Sequence, residues 1–268
     1  MYNLACNKVN PTESMNNSES ASKKAEPLKS VTSLSDLAVK HGTDKYGKHY
    51  YTQHYETHFR KLRLRKLNVL EIGVGGYKNP SAGGKSLKMW RDYFPHARIF
   101  GIDIYDKRAH DEERIKTFQG SQIDTEFLER VCHETGGIDI IIDDGSHINT
   151  HVITTFKFLF PLLKDNGIYA VEDTQTSYWK KVGGIEWGGT SDFSSTETTM
   201  GYFKSLTDGL NYEEVVGGKY EPTYLDRHII SMHFYHSLII IYKGENNEGS
   251  PFLERLKREF KAMKLPSG

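Results

Sequence analysis

The sequence holds two cysteines in 268 residues, Cys6 and Cys132. They stand too far apart for a disulfide framework, and no CxxC metal site can be built from them. Charge of either sign is not in excess, because 35 Lys and Arg balance 35 Asp and Glu. A protein that grips nucleic acid by neutralising phosphates usually carries a basic surplus, so no nucleic-acid partner is expected. Long apolar runs are missing too. The longest, near residues 138–142 and 238–242, are far too short to span a bilayer. No apolar signal core opens the sequence, and no internal repeat is visible. A soluble, cytoplasmic protein with no membrane span is the expectation.

What is present alternates. Residues 1–32 are rich in Ser, Asn, Lys and Glu, and read as a disordered tail. Order is expected from Ser33-Leu34-Ser35-Asp36, where a Ser or Asp can cap a short helix containing Leu37 and Val39. Apolar runs at 68–74, 98–104, 116–120, 138–143 and 167–172 read as buried strands, with helices expected at 86–94, 125–135 and 150–163. Strands apolar on both faces and separated by helices imply a parallel sheet covered on both sides. Two last strands, 230–235 and 238–242, are split only by His236-Ser237, a link so tight that the pair must be antiparallel. The predicted fold is therefore α/β, a mostly parallel seven-stranded sheet with a C-terminal antiparallel hairpin. It resembles the Rossmann-like class I methyltransferases. One domain over 33–246 is expected, with a C-terminal helix or tail over 247–268. Residues 174–229, with their Trp, Tyr and Gly, are too long for a simple connection and read as an insertion serving as lid or substrate wall.

Ligands of open α/β sheets bind at the carboxyl ends of the strands. There the first strand gives Glu71-Ile72-Gly73-Val74-Gly75-Gly76-Tyr77-Lys78, and the second ends in Asp103. Glycines let backbone approach a ligand, and an acid at Asp103 can accept hydrogen bonds from both hydroxyls of a ribose. A nicotinamide cofactor would want a third glycine where Lys78 stands, so an oxidoreductase is disfavoured. S-adenosylmethionine (SAM) carries no phosphate and tolerates the looser loop, with Glu71 at its methionine end.

Strand four ends in Asp143-Asp144-Gly145-Ser146-His147 and strand five in Glu172-Asp173. One such pair would read as solvated loop acids. Two, each directly after an apolar strand and expected to be neighbours, point to a site. Gathered carboxylates repel, and a divalent cation relieves them; oxygen ligands favour Mg²⁺ or Mn²⁺. Side chains alternate along a strand, so Asp144, Glu172 and Asp173 are the expected ligands and Asp143 faces elsewhere. His147 stands beside them as a general base.

These motifs, together with His41-Gly42-Thr43-Asp44-Lys45-Tyr46-Gly47 and Tyr50-Tyr51-Thr52-Gln53-His54-Tyr55-Glu56, resemble the macrocin and mycinamicin type of macrolide sugar O-methyltransferase. The resemblance runs from about Leu37 to Gly244. It implies a SAM- and Mg²⁺-dependent enzyme that methylates a sugar hydroxyl of a glycosylated natural product or saccharide. By motif position it implies metal ligands at Asp144, Glu172 and Asp173 and a base at His147. It implies SAM contacts at Thr43, Glu71, Gly73, Gly75, Tyr77, Ser86, Asp103, Ser121 and Gln122. The residues alone would make His41–Gly47 a helix-ending turn; the resemblance makes it a loop over the cofactor. Some family members carry an extra N-terminal domain that aids assembly and lines the substrate site, whereas here the polar residues 1–32 stand ahead of the matched region. The partner implied is a small-molecule or glycoside acceptor, with homo-oligomer formation left open. A catechol-type O-methyltransferase acting on an aromatic diol uses the same metal logic and is the alternative.

Overall fold

The computed structural model describes residues 32–263, so the expected tail lies outside the described residues apart from Thr32. Helix α1 (Leu34–His41) starts as the sequence predicts. The Ser33 hydroxyl accepts from the Asp36 amide at 3.1 Å, and the Asp36 carboxylate accepts from the Ser33 amide at 3.2 Å. This reciprocal pair satisfies two amides that a helix start leaves free. The helix stops at Gly42, whose φ of 68° is the left-handed conformation that closes a helix at little cost to glycine.

Helix α2 (Tyr51–Phe59) follows, then β1 (Asn68–Ile72), α3 (Lys85–Tyr93), β2 (Arg98–Asp103), β3 (Ile115–Gln119), α4 (Thr125–Thr135), β4 (Ile138–Asp143), α5 (Asn149–Leu162) and β5 (Leu163–Glu172). Two-residue strands β6 (Lys181–Val182) and β7 (Ile185–Glu186) form a separate small hairpin. Helices α6 (Thr199–Ser205) and α7 (Tyr224–His228) lead to β8 (Ile229–Tyr235) and β9 (Leu238–Lys243), and α8 (Pro251–Met263) ends the described chain.

The main sheet has seven strands in the order β3-β2-β1-β4-β5-β9-β8, parallel except for β9, which is antiparallel to both of its neighbours. Alternation along the strands divides the core. Val69, Ile140 and Ile168 face α1, α2 and α3. Leu70, Ile141 and Tyr169 face α4, α5 and α6. Each large apolar side chain buried this way contributes about 1.5–3 kcal/mol. The strand order reverses between β1 and β4, whose pairing sets Ile72 opposite Asp143. That is where an open α/β sheet leaves its crevice.

Two boundaries differ from the sequence reading by more than one residue. β1 stops at Ile72, because Gly73 turns out of the sheet at φ 92°. β5 begins at Leu163, paired with Ile138, and resumes regular pairing only at Ile168 after a turn at Asn166 (φ 61°). Residues 174–229 are folded, and Met200, Tyr202 and Phe203 pack into the core beside α5. No described helix is long and apolar enough to cross a membrane.

Candidate active site

The carboxyl ends of β2, β1 and β4 stay together because backbone hydrogen bonds continue past the strands. The Gly73 amide donates to the Ile102 carbonyl at 2.8 Å, and the Asp144 amide to the Ile72 carbonyl at 2.9 Å. A methyl group on Gly73 would lie 2.0 Å from the Asp144 carbonyl oxygen, so only glycine lets the two strand ends touch.

Asp143 and Asp144 point to opposite sides, as alternation demands. Asp143 is 1 % exposed and faces inward, near Gln122 Nε2 (3.3 Å) and the Tyr169 hydroxyl (3.4 Å). Burial pushes its carboxyl up to about 7. Gln122 also accepts the Ser146 amide at 2.7 Å, so it braces the turn that carries His147. Asp144 faces Asp173 and His147. One ligand atom from each of these three lies within 4.8 Å of the others. His147 Nε2 stands 3.8 Å from Asp144 and 3.7 Å from Asp173. Both His147 (φ 55°) and Asp173 (φ 53°) adopt left-handed backbone, which side chains other than glycine rarely take. Such strain collects at functional sites. Among the described residues, His147 Nδ1 is buried without a partner.

Glu172 stands apart from that trio. Its Oε1 receives Lys45 Nζ at 2.7 Å and the Tyr55 hydroxyl at 2.6 Å. Lys45 also reaches Asp144 at 2.8 Å and Glu71 at 3.2 Å, with its side chain 1 % exposed. Burial alone would pull the ammonium down, but Asp144, Glu172 and Glu71 outweigh it and hold it well above the usual lysine range. Burial, then the Asp144 charge, lifts Glu172 well above the usual carboxylate range. Asp173 goes the other way: burial would raise it, but His147, the Tyr51 hydroxyl at 2.7 Å and His49 together lower it. Part of the carboxylate repulsion expected from the sequence is thus already relieved by a side chain, Lys45. That role was not read from the sequence, though Lys45 belongs to the His41–Gly47 motif. Nor were those of Tyr51 and Tyr55, whose spacing of four residues sets both hydroxyls on one helix face above Asp173 and Glu172.

At the ends of β1 and β2 stand residues expected to bind the cofactor. Glu71, fully buried, accepts from the Ser86 hydroxyl at 2.7 Å. Asp103 is oriented by the Val74 amide (3.0 Å) and the Tyr105 amide (2.9 Å). Gly75 takes φ 78° in the same loop. Thr43 is buried just after α1, Ser121 is half-buried beside Gln122, and Tyr77 is 86 % exposed at the rim. Asp144, Asp173 and His147 are gathered past the ends of β4 and β5, and Glu71, Ser86 and Asp103 belong to β1, α3 and β2, with Lys45 in contact with both Asp144 and Glu71.

Past Asp173 the chain is tied down by Asn149, which is fully buried. Its Nδ2 donates to the Trp187 carbonyl at 2.7 Å and the Thr176 carbonyl at 3.1 Å, and its Oδ1 accepts the Thr199 amide at 2.7 Å. With the Ser177 hydroxyl donating to Oδ1 at 3.3 Å, one side chain thus binds four points of the 174–229 segment. Tyr178, Trp179 and Phe193 of this segment are solvent-exposed.

Sheet order, strand-end acids and glycine loop define a Rossmann-like class I methyltransferase fold. By sequence, the chain's relatives are sugar O-methyltransferases of macrolide and tetracenomycin biosynthesis. It is 47 % identical over 182 residues to mycinamicin VI 2''-O-methyltransferase of Micromonospora griseorubida, covering 68 % of this chain and 45 % of the relative. It is 44 % identical over 230 residues to 8-demethyl-8-alpha-L-rhamnosyl tetracenomycin-C 2'-O-methyltransferase of Streptomyces olivaceus, covering 85 % and 58 %. MycE methyltransferase of the mycinamycin pathway, solved with Mg and SAH, superposes with a TM-score of 0.77 at 43 % identity, covering 87 % of this chain and 60 % of that one. A second MycE structure holds Mg, SAH and mycinamycin VI (TM-score 0.73, 45 % identity, 81 % and 56 % covered). The chain spans about half the length of the curated relatives it matches. No protein-family model matches it.

Proposed function

We propose that this chain is a metal-dependent O-methyltransferase that moves the methyl group of SAM to a sugar hydroxyl of a glycosylated natural product. The observation that carries the reading is the meeting of Asp144, His147 and Asp173 within 4.8 Å, where the backbone of Asp144 packs against Gly73 of the glycine loop.

The donor set fits a hard divalent cation. It is rich in carboxylate oxygen, and it sits on strained backbone at His147 and Asp173. Asp144 and Asp173 would hold Mg²⁺ or Mn²⁺, and Glu172, whose Oε1 is engaged by Lys45 and Tyr55, would be the third ligand once it turns toward them. Bound there, the cation supplies Lewis acidity to the acceptor hydroxyl. The remaining work falls to side chains. Glu71, Ser86 and the Gly73–Gly75 backbone take the methionine end of SAM, and Asp103 takes its ribose. We assign His147 Nε2 the proton of the acceptor hydroxyl rather than a ligand position. As the acceptor oxygen forms its bond to the methyl carbon, the S–C bond of SAM breaks and S-adenosylhomocysteine (SAH) leaves. The exposed Tyr178, Trp179 and Phe193, which follow Asp173 in the chain, offer apolar surface to the aglycone.

Two measurements test this. Turnover of a rhamnosyl or macrolide glycoside should stop in EDTA and return with Mg²⁺; turnover that persists in EDTA would remove the metal from the mechanism. In an acceptor screen, glycosides should be methylated and simple catechols left unmodified. The reverse outcome would make the chain a catechol-type enzyme.

A further inference from the structure

Lys45 is nearly inaccessible, with 1 % of its side chain exposed, and its ammonium lies 2.7 Å from Glu172, 2.8 Å from Asp144 and 3.2 Å from Glu71. Those acids come from three neighbouring strand ends. Glu71 belongs to the side proposed for the cofactor, Asp144 and Glu172 to the side proposed for the metal. No other described side chain forms ion pairs with acids of both sides. The segment that carries Lys45 is fixed at both ends. Before it, Lys40 and His41 of α1 hold Asp92 of α3 at 2.7 and 2.8 Å. After it, the Tyr51 hydroxyl donates to Asp173 at 2.7 Å.

We infer that Lys45 is a positioning residue that couples the two halves of the site, so that cofactor and metal bind as linked events. The inference rests on the function proposed above. A carboxylate cannot turn toward a ligand without changing its contact with the ammonium, and this ammonium is shared. Movement of Glu71 on cofactor binding is therefore felt at Asp144 and Glu172, and the converse holds equally, because coupling between two binding events is reciprocal. The shared charge also keeps Glu71, Asp144 and Glu172 from spreading apart by mutual repulsion, which water screens least at the buried Glu71 and Glu172. A lysine that merely compensated buried charge would contribute to stability alone.

The test measures binding to the full chain rather than turnover. Mn²⁺ affinity is read by electron paramagnetic resonance with and without saturating SAH, and SAH affinity by calorimetry with and without Mg²⁺. In the wild type each ligand should tighten the other by on the order of tenfold. In Lys45→Met this factor should fall below about twofold while SAH and Mn²⁺ each still bind alone. Lys45→Gln keeps N–H donors for the carboxylates and reports the same loss if the methionine variant does not fold. Coupling preserved in either variant, even with a lower melting temperature, would reduce Lys45 to a structural ion pair and overturn the inference. Independent binding in the wild type would overturn it as well. A wild type that binds neither SAH nor Mn²⁺ would defeat the proposed function first, and this inference with it.

Discussion

At the residue scale, the acids and the histidine were legible because each follows an apolar strand directly, and strand ends are where this architecture puts its chemistry. Lys45 was not, since nothing local distinguishes a lysine bound for the interior. Its burial is decided by carboxylates as far away in sequence as Glu172. His147 is the residue whose role most needs an isolated test. Its φ of 55° makes alanine a poor replacement, because lost backbone stability would mix with lost chemistry. Asparagine tolerates left-handed backbone and has no basic nitrogen. His147→Asn should slow methyl transfer by roughly 10²–10⁴, the usual worth of a general base. Its SAH affinity by calorimetry should match the wild type. A rate within tenfold of the wild type would take the proton away from His147.

At the scale of elements, the sheet could be read almost entirely, because near-continuous apolar runs have few other destinations. Helix α2 could not. Its sequence is mostly polar, and the stripe it buries, Tyr51, Tyr55 and Phe59, is aromatic, with two hydroxyls that donate to Asp173 and Glu172. The 174–229 segment was visible only as an excess of length. What folds it is Asn149, at the start of α5, which satisfies the Thr199 amide and the Trp187 and Thr176 carbonyls at once. Asn149→Ala would leave the buried Thr199 amide unpaired, at about 1–3 kcal/mol, and would take a second donor from the Trp187 and Thr176 carbonyls, which keep the Asn149 and Trp179 amides. The damage should be local. Amide exchange should rise between residues 174 and 206 while β1, β4 and β5 keep their protection, and the KM for the glycoside should rise more than kcat falls. Uniform loss of protection across the sheet would mean that the segment does not open on its own.

At the scale of the whole molecule, the neutral net charge shows nothing of how the charges are arranged, and two buried clusters use charge in opposite ways. Lys45 and its acids keep charge inside by pairing. His58, 9 % exposed, is instead kept neutral where α2 meets the antiparallel edge of the sheet. Its ring nitrogens lie 2.8 Å from the Tyr242 and Tyr235 hydroxyls, while His233 packs against it and His54 stacks on Tyr235. Burial, helped by His233 and His54, pushes its pKa down from 6.5 to about 4. The sign follows from proton binding. Between those two values the unfolded chain takes up a proton that the folded chain refuses, so acid favours unfolding. The stability due to His58 is complete above about pH 6.5, declines as the pH falls, and is fully lost near pH 4. Urea midpoints measured across this window should drop for the wild type. His58→Gln, which has no titrating ring, should begin less stable at pH 7 and show a shallower decline. Parallel profiles for the two proteins would show that the edge of the sheet is not where acid first acts.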